Sequence, residues 1–397
     1  ADGTAENYDI FANAWTAAIE SEGSTLKLLC NVEFDDNGAD GLVLDHGKFT
    51  LDLGGFTLES FAYQQMLVIS GTADIVIKNG VLLNTYNTEG GGQLFLSTGN
   101  AIDVKGGSLT LDGVTLHGAY EVKGALPDGE IQSYALELYS GNLTVENCIF
   151  EGQLDDALNI HGMYTRIVDV ERDALLVREM HQEASGIRIF RAGDRIQLLN
   201  PKSLISFSER IIRDVEYINS EIIRLSLEPL PPEVADSAAR IPAPEIRPGQ
   251  VVENISHNVA LTFRHNIVRC NRARGMLIAS RGRTVIEDCD FHTSGAAVLF
   301  EANGEYWFES GGTQDVTIRN CMFDTCRHGG WGNAVIECAP REAVEAGRYF
   351  HRRIRVLDNS FRMANGGAPA AIFDNIADLC FRGNTLIPAP DGTPARI

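Results

Sequence analysis

A short motif of apolar and polar positions recurs along this chain. It is seen at Leu51–Phe56 (LDLGGF), Val76–Val81 (VIKNGV), Thr110–Thr115 (TLDGVT), Val145–Phe150 (VENCIF) and Phe263–Val268 (FRHNIV), and again at Ile286–Phe291 (IEDCDF), Ile318–Phe323 (IRNCMF), Val356–Phe361 (VLDNSF) and Phe381–Leu386 (FRGNTL). Each copy passes from apolar through polar positions to a small or amide residue and then back to apolar. The pivot is Gly55, Gly80, Gly113, Cys148, Asn266, Cys289, Cys321, Asn359 or Asn384. Most copies lie roughly 23 to 38 residues apart, a period that signals a solenoid. One motif per coil predicts a parallel β-helix with the pivot at a corner. There Asn can bond the backbone of neighbouring coils, Gly tolerates positive φ, and Cys is small and readily buried. The flanking Ile, Val, Leu and Phe then stack coil on coil into one continuous core.

The ladder breaks once, between Cys148 and Asn266. The segment from about Met163 to Val252 carries its own strand pattern at Thr165–Val170, Ala174–Val177, Arg195–Leu199 and Glu221–Leu227, with turns at Ala192-Gly193-Asp194 and Pro229-Leu230-Pro231-Pro232. These features predict a small all-β, barrel-like module inserted into the solenoid. The expected division is residues 1–162 for the first part of the β-helix, 163–252 for the module and 253–397 for the second part. Tyr8–Glu20 has helical spacing, with apolar residues at Ile10, Phe11, Trp15, Ala18 and Ile19, and is expected to cap the open end of the core. The tail after Asn384, with Pro388, Pro390 and Pro394, is expected to be irregular. The fold class is therefore all-β.

Composition narrows the setting. Of 397 residues 44% are hydrophobic and 22% charged, which marks a folded protein. A formal net charge of -21 with no local Lys/Arg cluster argues against nucleic acid and anionic lipid as partners. No apolar run approaches the ~20 residues that span a bilayer. Ala1-Asp2-Gly3-Thr4 opens straight into polar sequence. Between a cytosolic protein and a mature secreted or periplasmic one, the acidic, Gly-rich, Lys-poor composition favours the second. The eight cysteines form no Cys-x-x-Cys pair, so zinc spacing is absent, and a chain of this size does not need a disulfide framework.

The richest chemistry lies in Asp155-Asp156-Ala157-Leu158-Asn159-Ile160-His161-Gly162, directly after the fourth motif. Side chains alternate sides along a strand, so both Asp residues can face one cleft only at a corner or bulge. Two carboxyls that close raise the pKa of one partner, which lets an acid and a base coexist near neutrality. Further candidates are His181-Gln182 after the strand pattern ending at Met180, Arg272-Ala273-Arg274-Gly275, Glu301, and Tyr306-Trp307-Phe308-Glu309-Ser310-Gly311-Gly312. An Arg offers a planar fork for sugar hydroxyls or a carboxylate, and Trp307 offers a face for a pyranose. Taken singly, each also has an ordinary reading as surface charge or core.

In order, Asp-Asp-Ala-x-Asn-x-His-Gly, His-Gln, Gly193-Asp194-x-Ile196, Val252-Glu253-Asn254, Arg272-Ala273-Arg274-Gly275-x-Leu277-Ile278 and Trp307-Phe308-Glu309-Ser310-Gly311 resemble glycoside hydrolase family 110, whose members remove terminal α-1,3-linked galactose. The match runs from about Leu143 to Phe323. The resemblance implies a right-handed parallel β-helix with a β-barrel insertion, hydrolysis without metal or cofactor, inversion at the anomeric carbon and a glycan substrate. It matches Asp155 and Asp156 to the family's acidic pair, with Asn159 and His161 as sugar-contacting neighbours, and Arg274, Trp307 and Glu309 to other motif positions. Where the family has a further Asp on the preceding coil, this chain has Gln132-Ser133-Tyr134-Ala135-Leu136-Glu137, leaving Glu137, or Glu130 nearby, as the candidate substitute.

An inverting hydrolase needs two carboxyl groups roughly 6.5 to 9.5 Å apart, which adjacent Asp residues seldom span. The expectation is that Asp155 or Asp156 acts as base toward water while Glu309, or else Glu301, donates the proton. His181, Arg274, Glu301, Trp307, Asn159, His161 and Glu137 are the candidate substrate contacts. A different polysaccharide-active β-helix enzyme and a non-catalytic glycan-binding solenoid stand as alternatives. The former is disfavoured by the lack of Asn-Thr-Asp and Arg-Ile-Lys motifs and by the scarcity of lysine. The oligomeric state stays open, a homodimer included.

Overall fold

The structure, a computed structural model, describes residues 6–34, 42–60, 65–84, 100–104, 106–117, 136–138, 141–153, 155–181, 188–229, 246–338, 347–365, 368–392 and 396, with backbone alone at 65, 100, 103, 117 and 136–138. Three parallel ladders of strands run along the molecule. The first climbs from Ser24–Lys27 through Lys48–Asp52, Asp74–Asn84, Ser108–His117, Gly141–Glu146, Val259–Arg264, Thr284–Glu287, Val316–Arg319 and His351–Leu357 to Ile376–Arg382. The second follows each corner and ends at Thr385–Ile387. The third includes Leu136–Leu138, Leu158–Val170, Met276–Ala279, Val298–Leu299 and Ile336–Cys338 in successive rungs. This is the stacked-coil architecture of a parallel β-helix.

The corner chemistry follows the motif, with one shift. The residue with positive φ precedes the pivot in most copies: Asn79, Asn147, His265, Asp288, Asn320, Asp358 and Gly383 have φ between 53° and 72°. Short polar residues and Gly tolerate that conformation best. The pivot side chain then ties the coils together. Asn266 Oδ1 accepts from Cys148 N at 2.8 Å while its Nδ2 donates to Val145 O at 2.9 Å. Asn359 does the same between Cys321 N and Ile318 O. Cysteine pivots sit buried against the same backbone, Cys148 Sγ accepting from Val114 N and Cys289 Sγ from Asn266 N. All eight cysteines are free thiols.

Inside, Phe150, Phe263, Phe291, Phe323, Phe361 and Phe381 form an aromatic file, with centroid separations of 4.7 Å for Phe323–Phe361 and 5.1 Å for Phe291–Phe323. The N-terminal helix, Phe11–Glu20, is shorter than its sequence pattern because Ile10 adopts an extended backbone at its start. It closes the end of the core by laying Trp15 edge-on against Phe49 at 5.2 Å. The tail departs from expectation too. Thr385–Ile387 completes a last rung before Pro388 ends the pairing.

Gly141–Glu146 pairs directly with Val259–Arg264, so the intervening residues leave and return to one point on the ladder. Leu158–Val170 carries the chain out. Its first half pairs in parallel with coil strands and its second half antiparallel with Ala174–Glu179 and Val251–Asn254. Ala174–Glu179, Ile222–Leu227, Ser206–Tyr217, Arg195–Leu199 and Val251–Asn254 then close a six-stranded antiparallel barrel back onto it. Ser206–Tyr217 carries no alternating signal in the sequence. A register shift between Ile212 and Asp214 interrupts its period of two and leaves Ile211 exposed.

The barrel is fixed to the coils by a shared core of Tyr164, Leu199, Leu204, Ile205, Val251, Leu277, Ala279, Leu299, Ala302, Phe308 and Phe350. A buried ion pair reinforces it: Arg281 donates to both oxygens of Glu253 at 2.9 and 2.8 Å and to Gln197 Oε1 at 2.9 Å. No described helix is long and apolar enough to cross a membrane.

Candidate active site

The site begins at the turn that leads into Leu158–Val170. Because Asp155 and Asp156 occupy that turn and not the strand, both escape the alternation of faces and enter one cluster. The turn is stitched to the next coil, with Arg272 N donating to Gln153 O at 2.9 Å and Ala157 N to Gly275 O at 3.1 Å. That coil's corresponding turn supplies two guanidinium groups. Arg274 donates to Asp156 Oδ1 through its backbone N at 3.0 Å and its Nε at 2.8 Å, and Arg272 Nη2 lies 3.8 Å from Asp155 Oδ2.

One rung into the strand, Asn159 and His161 point the same way. Asn159 Nδ2 donates to Glu309 Oε1 at 3.1 Å, and His161 Nε2 lies 3.8 Å from the same oxygen. His161 Nδ1 is 2.8 Å from Gly162 O, an acceptor only, so Nδ1 carries a proton and Nε2 faces the carboxylate. Glu309 reaches this place by long-range pairing. Glu309-Ser310 runs antiparallel to Gly162-Met163, and the approach is so close that a Cβ on Gly162 would stand 2.5 Å from Ser310 Oγ.

The loop before Glu309 is held by Asn303, whose Oδ1 accepts from the backbone N of Glu305, Tyr306 and Trp307. It sets Trp307 half-buried beside His181, their rings 5.5 Å apart. His181 arrives from the end of the barrel strand Ala174–Glu179, so the inserted module does wall one side of the cluster.

The electrostatics are those of three carboxyls in a confined space. Burial, and then the neighbouring Asp156 charge, push the Asp155 carboxyl up to about 7, against the pull of Arg274 and Arg272. Asp156 is fully enclosed, and burial raises its pKa as well, in spite of the Arg274 hydrogen bonds. For Arg274, burial opposes the charge, but Asp156, Asp155 and Glu309 together hold its proton more firmly than usual. Burial lowers the His181 pKa, although Glu309 works the other way. Two buried acceptors, Asp156 Oδ2 and Asn159 Oδ1, have no hydrogen-bond partner among the described residues. Such groups are costly unless something polar meets them. Among the described residues no group of three or more His, Cys, Asp or Glu is arranged to hold a metal ion.

The structure thus gathers Asp155, Asp156, Asn159, His161, His181, Arg274, Trp307 and Glu309. Glu301 lies just past Val298–Leu299. Glu137 pairs through its backbone with Asn159 on the next rung, while its side chain, like Gln132–Ala135, lies outside the described residues. Arg272 is the partner that its motif half disclosed, because the sequence did not separate its role from that of Arg274.

Comparison with known proteins bears on the same region. A family model described as GLAA-B beta-barrel domain II matches residues 174–237, most of the barrel. Alpha-1,3-galactosidase A of Bacteroides fragilis (strain YCH46) is 29% identical over 263 residues, which is 64% of this chain and 42% of that protein. Alpha-1,3-galactosidase B of Akkermansia muciniphila is 33% identical over 231 residues, 56% of this chain and 27% of that protein. Over that region the chain is similar to alpha-1,3-galactosidases. Alpha-1,3-galactosidase B of Bacteroides thetaiotaomicron is 31% identical over 255 residues, 62% of this chain and 39% of that protein. The chain spans less than half the length of these curated relatives.

Proposed function

We propose that the protein is an exo-acting glycoside hydrolase that releases terminal α-linked galactose, α-1,3-linked above other linkages, with inversion. The observation that carries this reading is the convergence of Asp155, Asp156 and Glu309 from two separate coils. The relatives' printed names supply the sugar and the linkage.

In this proposal the acid and base roles are the reverse of the sequence expectation. Asp155, pushed up to about 7, keeps a protonated fraction at neutral pH, and this form gives its proton to the departing glycosidic oxygen. Glu309, fixed by Asn159 and His161, takes a proton from the attacking water. Asp156, fully buried and locked to Arg274, positions Asp155 and raises its affinity for a proton. Trp307 offers the face against which the ring lies, backed by His181. We also place the protein outside the cytoplasm, on composition.

Galactose release from α-1,3-galactobiose, α-1,4-galactobiose and a β-galactoside tests the reading. Release from the first, with the β-anomer appearing before mutarotation, is the expected result. Absence of release from every α-galactoside would reject it.

A further inference from the structure

Trp331 stands out on the surface next to this cluster. It is 50% exposed, and the Arg272 guanidinium lies over its ring at 5.2 Å from the centroid. The other end of that guanidinium faces Asp155. The indole is therefore one guanidinium away from the carboxyl assigned the leaving-group proton.

Three features show that this position is built. First, the intervening turn is Ser294-Gly295-Ala296, small residues that leave room for the ring to reach back toward Arg272. A Cβ on Gly295 would stand 2.8 Å from both Trp331 Cβ and Trp331 O. Second, the loop that carries Trp331 is tethered throughout its length. Ala296 N donates to Trp331 O at 3.0 Å, Gly329 N to Ser294 O at 2.7 Å, and Arg327 Nε to Gly332 O at 2.9 Å. Buried Glu337 accepts from both Asn333 N and Asn333 Nδ2. Third, Ser294 Oγ donates to the Arg272 carbonyl, so the two turns move as one body. A large aromatic left half exposed on a rigid support has little conformational entropy to lose on binding.

We propose that Trp331, held by Arg272, is the platform for the sugar on the leaving-group side of the scissile bond, so that the site prefers a saccharide aglycone to a small leaving group. This rests on the hydrolase reading above. Trp307 and Trp331 then take successive rings, and the proton on Asp155 is delivered between them.

The test compares α-1,3-galactobiose with α-galactosyl fluoride, which has no second ring. In Trp331→Ala, the ratio of kcat/KM for the disaccharide to that for the fluoride drops about tenfold, which is what loss of roughly 60 Å² of apolar contact amounts to. The drop is carried by KM, and Trp331→Phe restores most of it. An unchanged ratio, including one in which both activities fall together, overturns the proposal. A second arm needs no turnover. Calorimetric binding of α-1,3-galactobiose and of galactose to Asp155→Asn protein, with and without Trp331→Ala, decides the same point. Loss of the disaccharide's advantage supports the platform, whereas an advantage that persists, or one that never existed, refutes it. Failure of the wild type to release galactose from either substrate counts against the hydrolase reading and leaves the binding arm to judge Trp331.

Discussion

Asp155→Asn should make the protein more stable while making it inactive, with a pH dependence that the site dictates. The carboxyl has an ordinary pKa of 3.8 in the unfolded chain and about 7 in the folded one. Between those values the folded state binds more protons than the unfolded state, so wild-type stability falls as pH rises through that window and is level above it. A shift of about three units at roughly 1.4 kcal/mol each sets an upper bound near 4 kcal/mol. The side chain is only 14% exposed, so solvent screening removes little of this. Asn is neutral at every pH and close to the same shape. The attraction of Arg274 and Arg272 that Asn forgoes is already contained in that net shift. The expected gain is therefore about 2–4 kcal/mol at pH 8, shrinking to nothing near pH 4. Urea unfolding of both proteins at intervals from pH 4 to pH 8 measures it. A gain that does not vary with pH, or a loss of stability at pH 8, would show that Asp155 is not held in an unfavourable charged state.

Two further perturbations test the scaffold. Glu253→Gln leaves Arg281 buried without its carboxylate and should cost about 3–5 kcal/mol, read by urea unfolding; a change below about 1 kcal/mol would mean that the ion pair does not fasten the barrel to the coils. Asn359→Ala removes bonds to Cys321 N and Ile318 O at one corner and should cost about 2–3 kcal/mol without altering KM. A neutral result would mean that the corner amides are not the rivets between coils.

Much of this was legible in the chain because a coil repeats its needs. Every corner requires a residue that tolerates positive φ followed by a small or amide side chain, so copies such as VENCIF, IRNCMF and VLDNSF announce one another. The break in the ladder and the acid pair on a corner were visible for the same reason. Other features depend on contacts that no local pattern records. Glu309 reaches the cluster through the antiparallel return of Glu309-Ser310 onto Gly162-Met163, which no local pattern announces. The strand Ser206–Tyr217 was hidden by its own register shift. Trp331 carries a signal of its own: an aromatic in the run His328-Gly329-Gly330-Trp331-Gly332-Asn333 has no apolar neighbours with which to form a core.

The central claim is that carboxyls from separate coils act together on one glycosidic bond. Its most direct measurement is single-turnover release of galactose from α-1,3-galactobiose by Asp155→Asn, Asp156→Asn and Glu309→Gln proteins, each verified as folded by circular dichroism. The account predicts that release slows by about a thousandfold or more in each. Release within about tenfold of wild type from the Asp155 or the Glu309 variant would contradict it.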